Sequence, residues 1–561
     1  MSASLVAVIA IVLFFAGYRF YASFLASKVF KISDEERTPA HEMRDGVDYV
    51  PARKGVLFGH HFSSIAGAAP IIGPAIAVFW GWVPAVLWVV LGTIFMGAVH
   101  DFSALVISAR NKGRSVGDIA GQMITPRART LFLIIVYFLI FFVIAVFAYA
   151  IASLFVRFPA SVLPVNLEIV MALVLGFIFY RKRSGSTAAT AIAHILLLAA
   201  IWAGTRFHIS VPEVMGSSEV TWVFFLFAYA SVACVLPVWT LLQPRDYLNS
   251  FQLIVGLGLL VAGIIALDPE MAAPAFNSAA VSHGAPIVPF LFVTIACGAI
   301  SGFHGLVSSG TTSKQLDKMS HCHPIGYGCM LGEGTLAIVA ILAVAAGFGG
   351  AEWLERYGTW EGAKAGGMTN FVLGASVFLE GLGIPSSFGT TIISVLVISF
   401  AATSLDTAAR IQRLIVGELG AAYKIGFLQN RYAATLVAVA PAFLLAMLVQ
   451  APGRGLGSGG FVLWPLFGAT NQLIAGLTLL VATIYLHKTG RPFIYTLVPM
   501  VIVILAAGAS VVFNIVNFSD SLLLRSLSVC ILILTVWLLL EAVMFIKRSR
   551  ADAPLQGGGT G

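Results

Sequence analysis

The sequence predicts an all-α protein that crosses a membrane many times. Three observations predict this fold class: 59% of the 561 residues are hydrophobic, only 10% are charged, and the mean hydropathy is +0.95. Soluble domains carry about 25% charged residues, and the charged share here is too small to cover the apolar surface of a soluble fold. Intrinsic disorder is excluded as well, because disordered chains combine low hydrophobicity with high net charge.

Apolar runs long enough to cross a bilayer recur along the chain. A spanning helix needs about 20 apolar residues, and the sequence supports fifteen such spans. Residues 368–384 are apolar but short and Gly-rich, which suits a re-entrant or lid segment better than a full span. The predicted spans are 4–26, 56–80, 82–109, 130–156, 163–180, 187–207, 220–242, 248–267, 286–310, 326–348, 386–404, 432–451, 461–486, 492–514 and 521–546.

The net charge of +8 is explained by membrane topology rather than by nucleic-acid binding. When residues 28–55 are placed in the cytoplasm and the spans alternate, most of the 33 Lys and Arg residues fall on the cytoplasmic side. The N-terminus is then outside and the C-terminus inside. Residues 115–127 and 406–424 mix apolar and charged residues at helical spacing, which predicts surface helices at the interface.

Two of the spans are interrupted by Gly and Pro. The span at 56–80 contains Gly67 and Pro70, and the span at 286–310 contains Gly302. These residues break the i→i−4 hydrogen-bond ladder, and free backbone groups are tolerated in a membrane only where they line a protein-enclosed or wet cavity. The alternative is that the small residues only let helices pack closely. We expect both segments to face the interior and to bind a ligand.

The two interrupted spans also resemble each other, since each carries a His, then a Ser pair, then a Gly. Their predicted directions are opposite, which is typical of an inverted-repeat transporter with its substrate near the midplane. The order of spans resembles the five-plus-five architecture of LeuT-type carriers. The predicted division is 1–55 for the N-terminal span and a cytoplasmic loop, 56–207 for repeat one, 208–285 for an inserted helix pair, 286–486 for repeat two, and 487–561 for C-terminal spans and a disordered tail.

The candidate substrate site is drawn from these two segments. A His can carry a proton near neutral pH, and hydroxyls beside freed amides at half-helix N-termini suit a carboxylate. A His bonded to a freed carbonyl is the structural alternative. The candidate substrate-binding residues are His60, His61, Ser63, Ser64, Gly67, Gly302, His304, Ser308 and Ser309.

A second set of polar residues inside predicted spans suits ion or proton coupling. Ionisable groups inside a bilayer are costly and usually functional, and hydroxyls beside a carboxylate are oxygen ligands for a hard cation such as sodium. A structural ion pair and a helix cap are the alternatives. The candidate coupling residues are His100, Asp101, Glu333, Thr403, Ser404 and Asp406.

Signals of catalysis or of a cofactor are weak. The spacing of His321, Cys322, His323 and Cys329 does not match a standard zinc site, and the sequence has no Walker A motif and no nucleophile elbow. We therefore expect no metal, no cofactor and no enzymatic activity. The partners expected are a small-molecule substrate, a proton or sodium ion and the lipid bilayer, with the oligomeric state open.

Several long motifs occur in order over about residues 14–480. They include VLFGHHF at 56–62, GAVHDFSALVISAR at 97–110, FHGLVSSGTTSKQL at 303–316 and LWPLFGATNQLIA at 463–475. On these motifs the chain resembles the carbon starvation protein A (CstA) family.

This resemblance implies a carrier of the bacterial inner membrane, related to the amino acid–polyamine–cation superfamily and associated with carbon starvation. It implies uptake of peptides or of pyruvate, usually coupled to protons. The site residues given above rest on physical inference and not on the family. An intramembrane metal-dependent enzyme and a nutrient sensor are the alternative functions.

Overall fold

The computed structural model describes residues 1–46, 48–182, 187–237, 240–283, 286–451, 453–518 and 521–551. These residues form helices and connecting segments without any β-strand, so the predicted all-α polytopic architecture is confirmed. Beyond Ala551, the predicted disordered tail lies outside the described residues.

The first half of the described chain contains ten of the main helices, and some of them begin at a residue whose side chain caps the helix. The Ser115 side chain accepts a hydrogen bond from the Asp118 amide, and Thr125 accepts one from the Ala128 amide, so two consecutive helices start at these positions. The helices are α1 (Ala3–Val29), α2 (Lys54–Ile65), α3 (Ala69–Ala77), α4 (Trp82–Arg110), α5 (Val116–Met123), α6 (Pro126–Arg157), α7 (Val162–Lys182), α8 (Thr187–Gly204), α9 (Ser218–Val235) and α10 (Leu242–Leu267).

The second half repeats the pattern of one segmented helix followed by long ones. The segmented helix consists of three short pieces, because it is interrupted at Ile295 and again at Ile300 and Ser301, where the backbone is extended. The helices are α11 (Ile287–Thr294), α12 (Ala296–Ala299), α13 (Gly302–Gly310), α14 (Met319–Ala346), α15 (Gly350–Tyr357), α16 (Trp360–Glu380), α17 (Ser386–Ala422), α18 (Arg431–Leu448), α19 (Gly459–Lys488), α20 (Ile494–Asn517) and α21 (Leu522–Ala551). Short helices between the main ones lie at Pro39–Glu42 in the first half and at Ser278–His283 and Gly426–Gln429 further along the chain.

Within the described residues, twelve helices are long and apolar enough to cross a membrane, and the bent pair α2–α3 brings the number to thirteen. Each of the fifteen predicted spans has a helical counterpart. The count of fifteen stays a prediction, because α8 is short and α11–α13 are interrupted.

The structure corrects the prediction that residues 406–424 form a separate surface helix. They continue α17, which runs without interruption for 37 residues from Ser386 to Ala422. The physical reason is that the apolar face continues past Asp406, with Ala409 and Ile415 among the buried residues. Residues 368–384 mostly belong to the continuous helix α16, and their role as a re-entrant or lid segment stays a prediction.

The packing of the long helices is nearly the same in the two halves. Helix α10 packs against α2 and α17, and α19 packs against α13 and α6. Helix α9 packs against α6 and α17, and α18 packs against α17 and α6. Exchanging α2 with α13, α6 with α17, α9 with α18 and α10 with α19 therefore preserves these contacts. Helix α7, by contrast, packs chiefly against α8 and α10.

The two segmented helices touch directly at Gly73. A methyl group at this glycine in α3 would lie 2.0 Å from the Thr294 carbonyl oxygen at the end of α11. That distance is far shorter than any real carbon–oxygen contact, and a backbone atom cannot move aside as a flexible side chain can. Only glycine therefore lets α3 and α11 approach this closely.

A buried ion pair joins α10 to α17. Arg245 Nη1 donates to Asp406 Oδ2 at 2.7 Å, and both side chains are buried. The Tyr229 hydroxyl of α9 donates to the same carboxylate oxygen at 2.7 Å. One carboxylate thus joins three helices, and the Arg245 charge neutralises it in the dry interior of the protein.

We predict that Gly73→Ala lowers the free energy of unfolding by about 1–3 kcal/mol, the usual cost of overpacking a close contact. The measurement is thermal unfolding of the purified protein in detergent, followed by tryptophan fluorescence. Gly508→Ala is the matched control, because a methyl group there meets nothing within 4 Å. Equal stability of the two variants would contradict the close contact between the segmented helices.

We also predict that Asp406→Asn destabilises the protein by about 3–5 kcal/mol, because it leaves the Arg245 charge buried without its counter-ion. Replacing both residues, as Arg245→Met with Asp406→Leu, is expected to recover most of this loss. Glu352→Gln is the control, since it breaks a largely exposed pair with Arg356. A neutral effect of Asp406→Asn in thermal unfolding would show that the ion pair does not hold these helices.

Candidate functional site

The first break separates α2 from α3, whose axes differ by 49°. Gly67 lies within the break, and a methyl group there would lie 2.3 Å from Ser404 Oγ of α17. The absence of a side chain at Gly67 therefore lets α17 approach the freed backbone. Two residues that the sequence assigned to different roles, Gly67 and Ser404, meet at this point.

The second break lies between α12 and α13 and is held by one amide side chain. Asn471 Oδ1 of α19 accepts from the Phe303 amide at 3.0 Å and lies 3.2 Å from Ser301 Oγ. The Asn471 amide nitrogen lies 3.1 Å from Cys297 Sγ. Asn471 thus binds one backbone amide that the break sets free and two side chains beside the break.

Gly302 and Gln472 complete this second break. A methyl group at Gly302 would lie 2.4 Å from the Asn471 carbonyl oxygen, so glycine is needed where α13 begins against α19. The Gln472 side-chain amide donates to the Phe292 carbonyl of α11. Residues of α19 therefore contact the chain both before the break, at α11, and after it, at the start of α13.

A small cavity lies between the two breaks. Its free volume is about 10 Å³, enough for about one water molecule. Among the predicted site residues, Gly67, His304 and Ser404 line it. The other lining residues are Ile65, Ala69, Pro70, Val143, Phe147, Cys297, Ser301, Phe303 and Phe467.

A chain of four buried ionisable groups leads away from this cavity. The His304 ring nitrogen Nδ1 lies 2.9 Å from Asp101 Oδ2, and His100 Nδ1 lies 2.7 Å from Asp101 Oδ1. On the other side of the ring, His304 Nε2 lies 3.2 Å from Glu333 Oε2, at ion-pair distance. The predicted coupling residues His100, Asp101 and Glu333 therefore meet the predicted substrate residue His304.

This arrangement suits the binding and release of a proton. His304 lies between two carboxylates, each of which stabilises a protonated imidazole by charge attraction. The same ring lines the cavity, where it can contact a ligand. A proton on His304 therefore changes both the charge of the buried chain and the attraction of the cavity for an anion.

The remaining predicted substrate residues lie on α2 and α13 but are not among those that line the cavity. His61 Nδ1 lies 2.8 Å from Thr312 Oγ1. His60 Nδ1 lies 3.0 Å from Asp246 Oδ2. Their other contacts are Ser63 Oγ to the Asp246 carbonyl at 3.0 Å, Ser64 Oγ to the His60 carbonyl at 2.7 Å and Ser309 Oγ to the Gly305 carbonyl at 2.7 Å, while the buried Ser308 Oγ has no hydrogen-bond partner among the described residues.

Two of the three predicted cation ligands on α17, Thr403 and Asp406, are engaged within the protein, and the third, Ser404, lines the central cavity. Thr403 Oγ1 donates to the Ser399 carbonyl at 3.1 Å, and Asp406 binds Arg245. Arg245 and Asp246 are adjacent in the sequence but have different partners, since Arg245 binds Asp406 and Asp246 contacts His60. The reason is that neighbouring side chains on a helix point in different directions, so Asp246 instead reaches His60.

The sequence analysis missed Glu168 of α7. This acid is buried, and its Oε2 accepts from Ser399 Oγ at 2.5 Å. A signal was present, because a carboxylate in the apolar run VLPVNLEIVMALV is itself an indication of function or of a buried partner. Its partner on α17 lies more than 200 residues away along the chain and has no signature in the sequence.

The described residues contain no group of three or more His, Cys, Asp or Glu side chains placed to hold a metal ion. In the sequence cluster weighed as a zinc site, Cys322 and Cys329 are buried in the packed core. His323 stacks on Tyr18 at a ring-centre distance of 4.5 Å.

A solved structure has a similar fold at low sequence identity. The Eremococcus coleocola manganese transporter, in complex with an aromatic bis-isothiourea compound, aligns with a TM-score of 0.50 and 14% identity, covering 90% of this chain and 99% of that one. This likeness concerns the fold alone, and it agrees with the predicted LeuT-like architecture.

Curated relatives are much more similar in sequence. The peptide transporter CstA of Campylobacter jejuni is 33% identical over 90% of this chain and 79% of its own length. The peptide transporter CstA of Bacillus subtilis is 32% identical over 86% of both chains. The pyruvate/proton symporter BtsT of Escherichia coli is 38% identical over 61% of this chain and 49% of its own length.

The sequence profile of the family described as carbon starvation protein CstA matches residues 2–348 and 356–510. With the relatives above, this match shows that the chain is a multi-pass membrane protein that belongs to the CstA family.

Proposed function

We propose that this protein is a secondary active transporter that imports pyruvate or short peptides into bacteria by proton symport under carbon starvation. The observation that carries the proposal is His304, which lines the cavity between the two broken helices and contacts Asp101 and Glu333. Relatives named as a peptide transporter and as a pyruvate/proton symporter support the substrate class.

In this proposal, His304 couples the proton to the substrate. A protonated imidazole attracts the carboxylate that pyruvate and peptides share, and the buried surroundings strengthen that attraction. Loss of the proton leaves Asp101 and Glu333 as the nearest charges, and both repel a carboxylate. Binding of proton and substrate thus favour each other, which is the requirement for symport.

The near-closed cavity fits a carrier that admits its substrate only after a helix movement. A free volume of about 10 Å³ holds neither pyruvate nor a peptide. At the breaks beside Gly67 and Gly302 the hydrogen-bond ladder of the helix is already interrupted. The half-helices can therefore rotate there without breaking further backbone hydrogen bonds. We propose that movement there opens the cavity to one side of the membrane at a time.

The proton fits this site better than sodium as the coupling ion. Sodium ligation by Asp406 together with Thr403 and Ser404 would have to displace Arg245, which already neutralises the Asp406 carboxylate. Thr403 directs its hydroxyl to its own helix. Sodium coupling stays the alternative at these residues.

We further propose a division of the chain that differs from the one predicted from the sequence. Helices α9 and α10, rather than α7 and α8, correspond in packing to α18 and α19. Repeat one would then consist of α2–α6 with α9 and α10, and the inserted pair would be α7–α8 instead of residues 208–285. Because the buried Glu168 of α7 binds Ser399 of α17, this inserted pair would contribute a side chain to the polar interior.

We propose that the protein lies in the bacterial inner membrane with its N-terminus outside and its C-terminus inside; the predicted charge asymmetry supports this orientation. An intramembrane metal-dependent enzyme or a nutrient sensor stays the alternative. Neither is favoured by an arrangement of side chains among the described residues.

We predict that His304→Ala lowers proton-driven uptake of labelled pyruvate or dialanine by at least about tenfold, since it removes a buried charge-assisted contact. Uptake is measured in proteoliposomes with an imposed pH gradient. His194→Ala is the matched control, because this histidine of α8 bonds the Thr190 carbonyl of its own helix and does not line the central cavity. Wild-type uptake by His304→Ala, with His194→Ala also unchanged, would move the coupling site elsewhere.

We predict that counterflow distinguishes the two substrate classes and the two ions. Proteoliposomes loaded with unlabelled pyruvate should accumulate labelled pyruvate, and those loaded with dialanine should accumulate labelled dialanine, if each is a substrate. Competition between pyruvate and dialanine identifies the preferred substrate.

Replacing sodium by choline is expected to leave the rate of uptake unchanged, because Asp406 is already paired with Arg245. Accumulation of neither compound under a proton or a sodium gradient would contradict the transport function.

A further inference from the structure

A second, much larger cavity opens at the end of the bundle that the charge asymmetry places outside. Its volume is about 1260 Å³. We call it the vestibule, and its walls come from the ends of α3, α11, α16, α19, α20 and α21 and from the segment after α18. It is large enough for a dipeptide, unlike the central cavity.

The vestibule has two cationic side chains facing one aromatic ring. Lys364 Nζ lies 5.8 Å from the ring centre of Phe461, and the Arg454 guanidinium carbon lies 4.4 Å from it. The acidic residue of the wall is Glu361, which binds Lys364 at 2.6 Å but is 72% exposed. No carboxylate of the described residues lies within ion-pair distance of Arg454, whose Nη1 donates to the Tyr149 hydroxyl at 2.7 Å.

A buried hydroxyl without a partner adds a polar group to the vestibule wall. Ser510 is 0% exposed, and its Oγ has no hydrogen-bond partner among the described residues. A buried polar atom without a partner is costly, and a ligand that bonds it removes that cost. The wall thus combines positive charge, a free hydroxyl and the rings of Trp360 and Trp464.

The vestibule and the central cavity follow each other along the same helices. Thr294 and Trp464 line the vestibule, and Cys297 and Phe467, each three residues further on, line the central cavity. The Trp464 and Phe467 rings contact each other edge to face at 5.3 Å. Consecutive turns of α19 and the neighbouring pieces α11 and α12 therefore line the two spaces.

We propose that the vestibule is an outer binding site for the carboxylate of the substrate, in which Lys364 and Arg454 hold the anion before it reaches the central cavity. This inference rests on the proposed import function and extends it with a second, separate site. The shared ligand chemistry is a carboxylate, from pyruvate or from a peptide C-terminus. Glu361 would favour a peptide by attracting its amino group.

The test uses the full-length protein in proteoliposomes and in detergent. Lys364→Gln with Arg454→Gln is expected to raise KM for pyruvate by about threefold per substitution, the scale of a screened ion contact. The maximal rate is expected to change less than about twofold, since the central site is intact. An unchanged KM would overturn the proposal.

Two matched variants test whether a rise in KM comes from a specific site or from a general loss of surface charge. Arg206→Gln removes an outer cation that lies over Trp202 outside the vestibule, and it is expected to leave KM unchanged. An equal rise in KM from Arg206→Gln would overturn the proposal. Lys364→Arg with Arg454→Lys keeps both charges and is expected to restore a KM near the wild-type value, which shows that the loss does not come from misfolding.

A binding measurement keeps the vestibule distinct from the transport function. Trp360 and Trp464 lie in its wall, so addition of pyruvate or dialanine is expected to change tryptophan fluorescence in His304→Ala as it does in the wild type. The response is expected to disappear in Lys364→Gln with Arg454→Gln. Transport without such a response would overturn the outer site alone, and a response without transport would overturn only the import function.

Discussion

A backbone amide or carbonyl that leaves its helix inside a bilayer must find a partner within the protein. This constraint determines much of the interior of this molecule. At the second break the partner is Asn471, whose amide binds the freed Phe303 amide and two nearby side chains. At the first break, Gly67 lets Ser404 come close instead. The two breaks can thus lie beside one cavity because α17 and α19 bring polar groups to them.

The same constraint applies to charge. Each buried carboxylate in the centre of the protein contacts groups from other helices: Asp406 binds Arg245 and Tyr229, and Asp101 contacts His304. The two clusters differ in one important respect. Arginine keeps its proton at any accessible pH, so the Asp406 cluster has a fixed charge, whereas the Asp101 cluster contains histidines whose charge can change. Under the proposed proton symport, structural support and proton coupling therefore belong to different clusters, which differ in the chemistry of their cations.

The sequence was sufficient for features that are local or periodic, and insufficient for features that depend on tertiary contacts. Gly and Pro in two apolar runs predicted both breaks, and hydropathy predicted a helix for every span. The bond from Asp101 to His304 joins residues more than 200 positions apart, and no local pattern indicates it. For the same reason no local pattern indicates that Arg245 binds Asp406. The end of α17 was misjudged because charged residues hid a continuing apolar face.

The two cavities indicate where selectivity lies along the path. The vestibule is wide and partly solvated, so its ion contacts are screened and discriminate poorly among carboxylates. The central cavity is nearly closed and lined by His304, Ser301 and Ser404 among apolar side chains. There a polar substrate group that finds no partner carries the full cost of desolvation. Under the proposed import function, capture in the vestibule can thus be permissive, because rejection of the wrong substrate would take place in the central cavity.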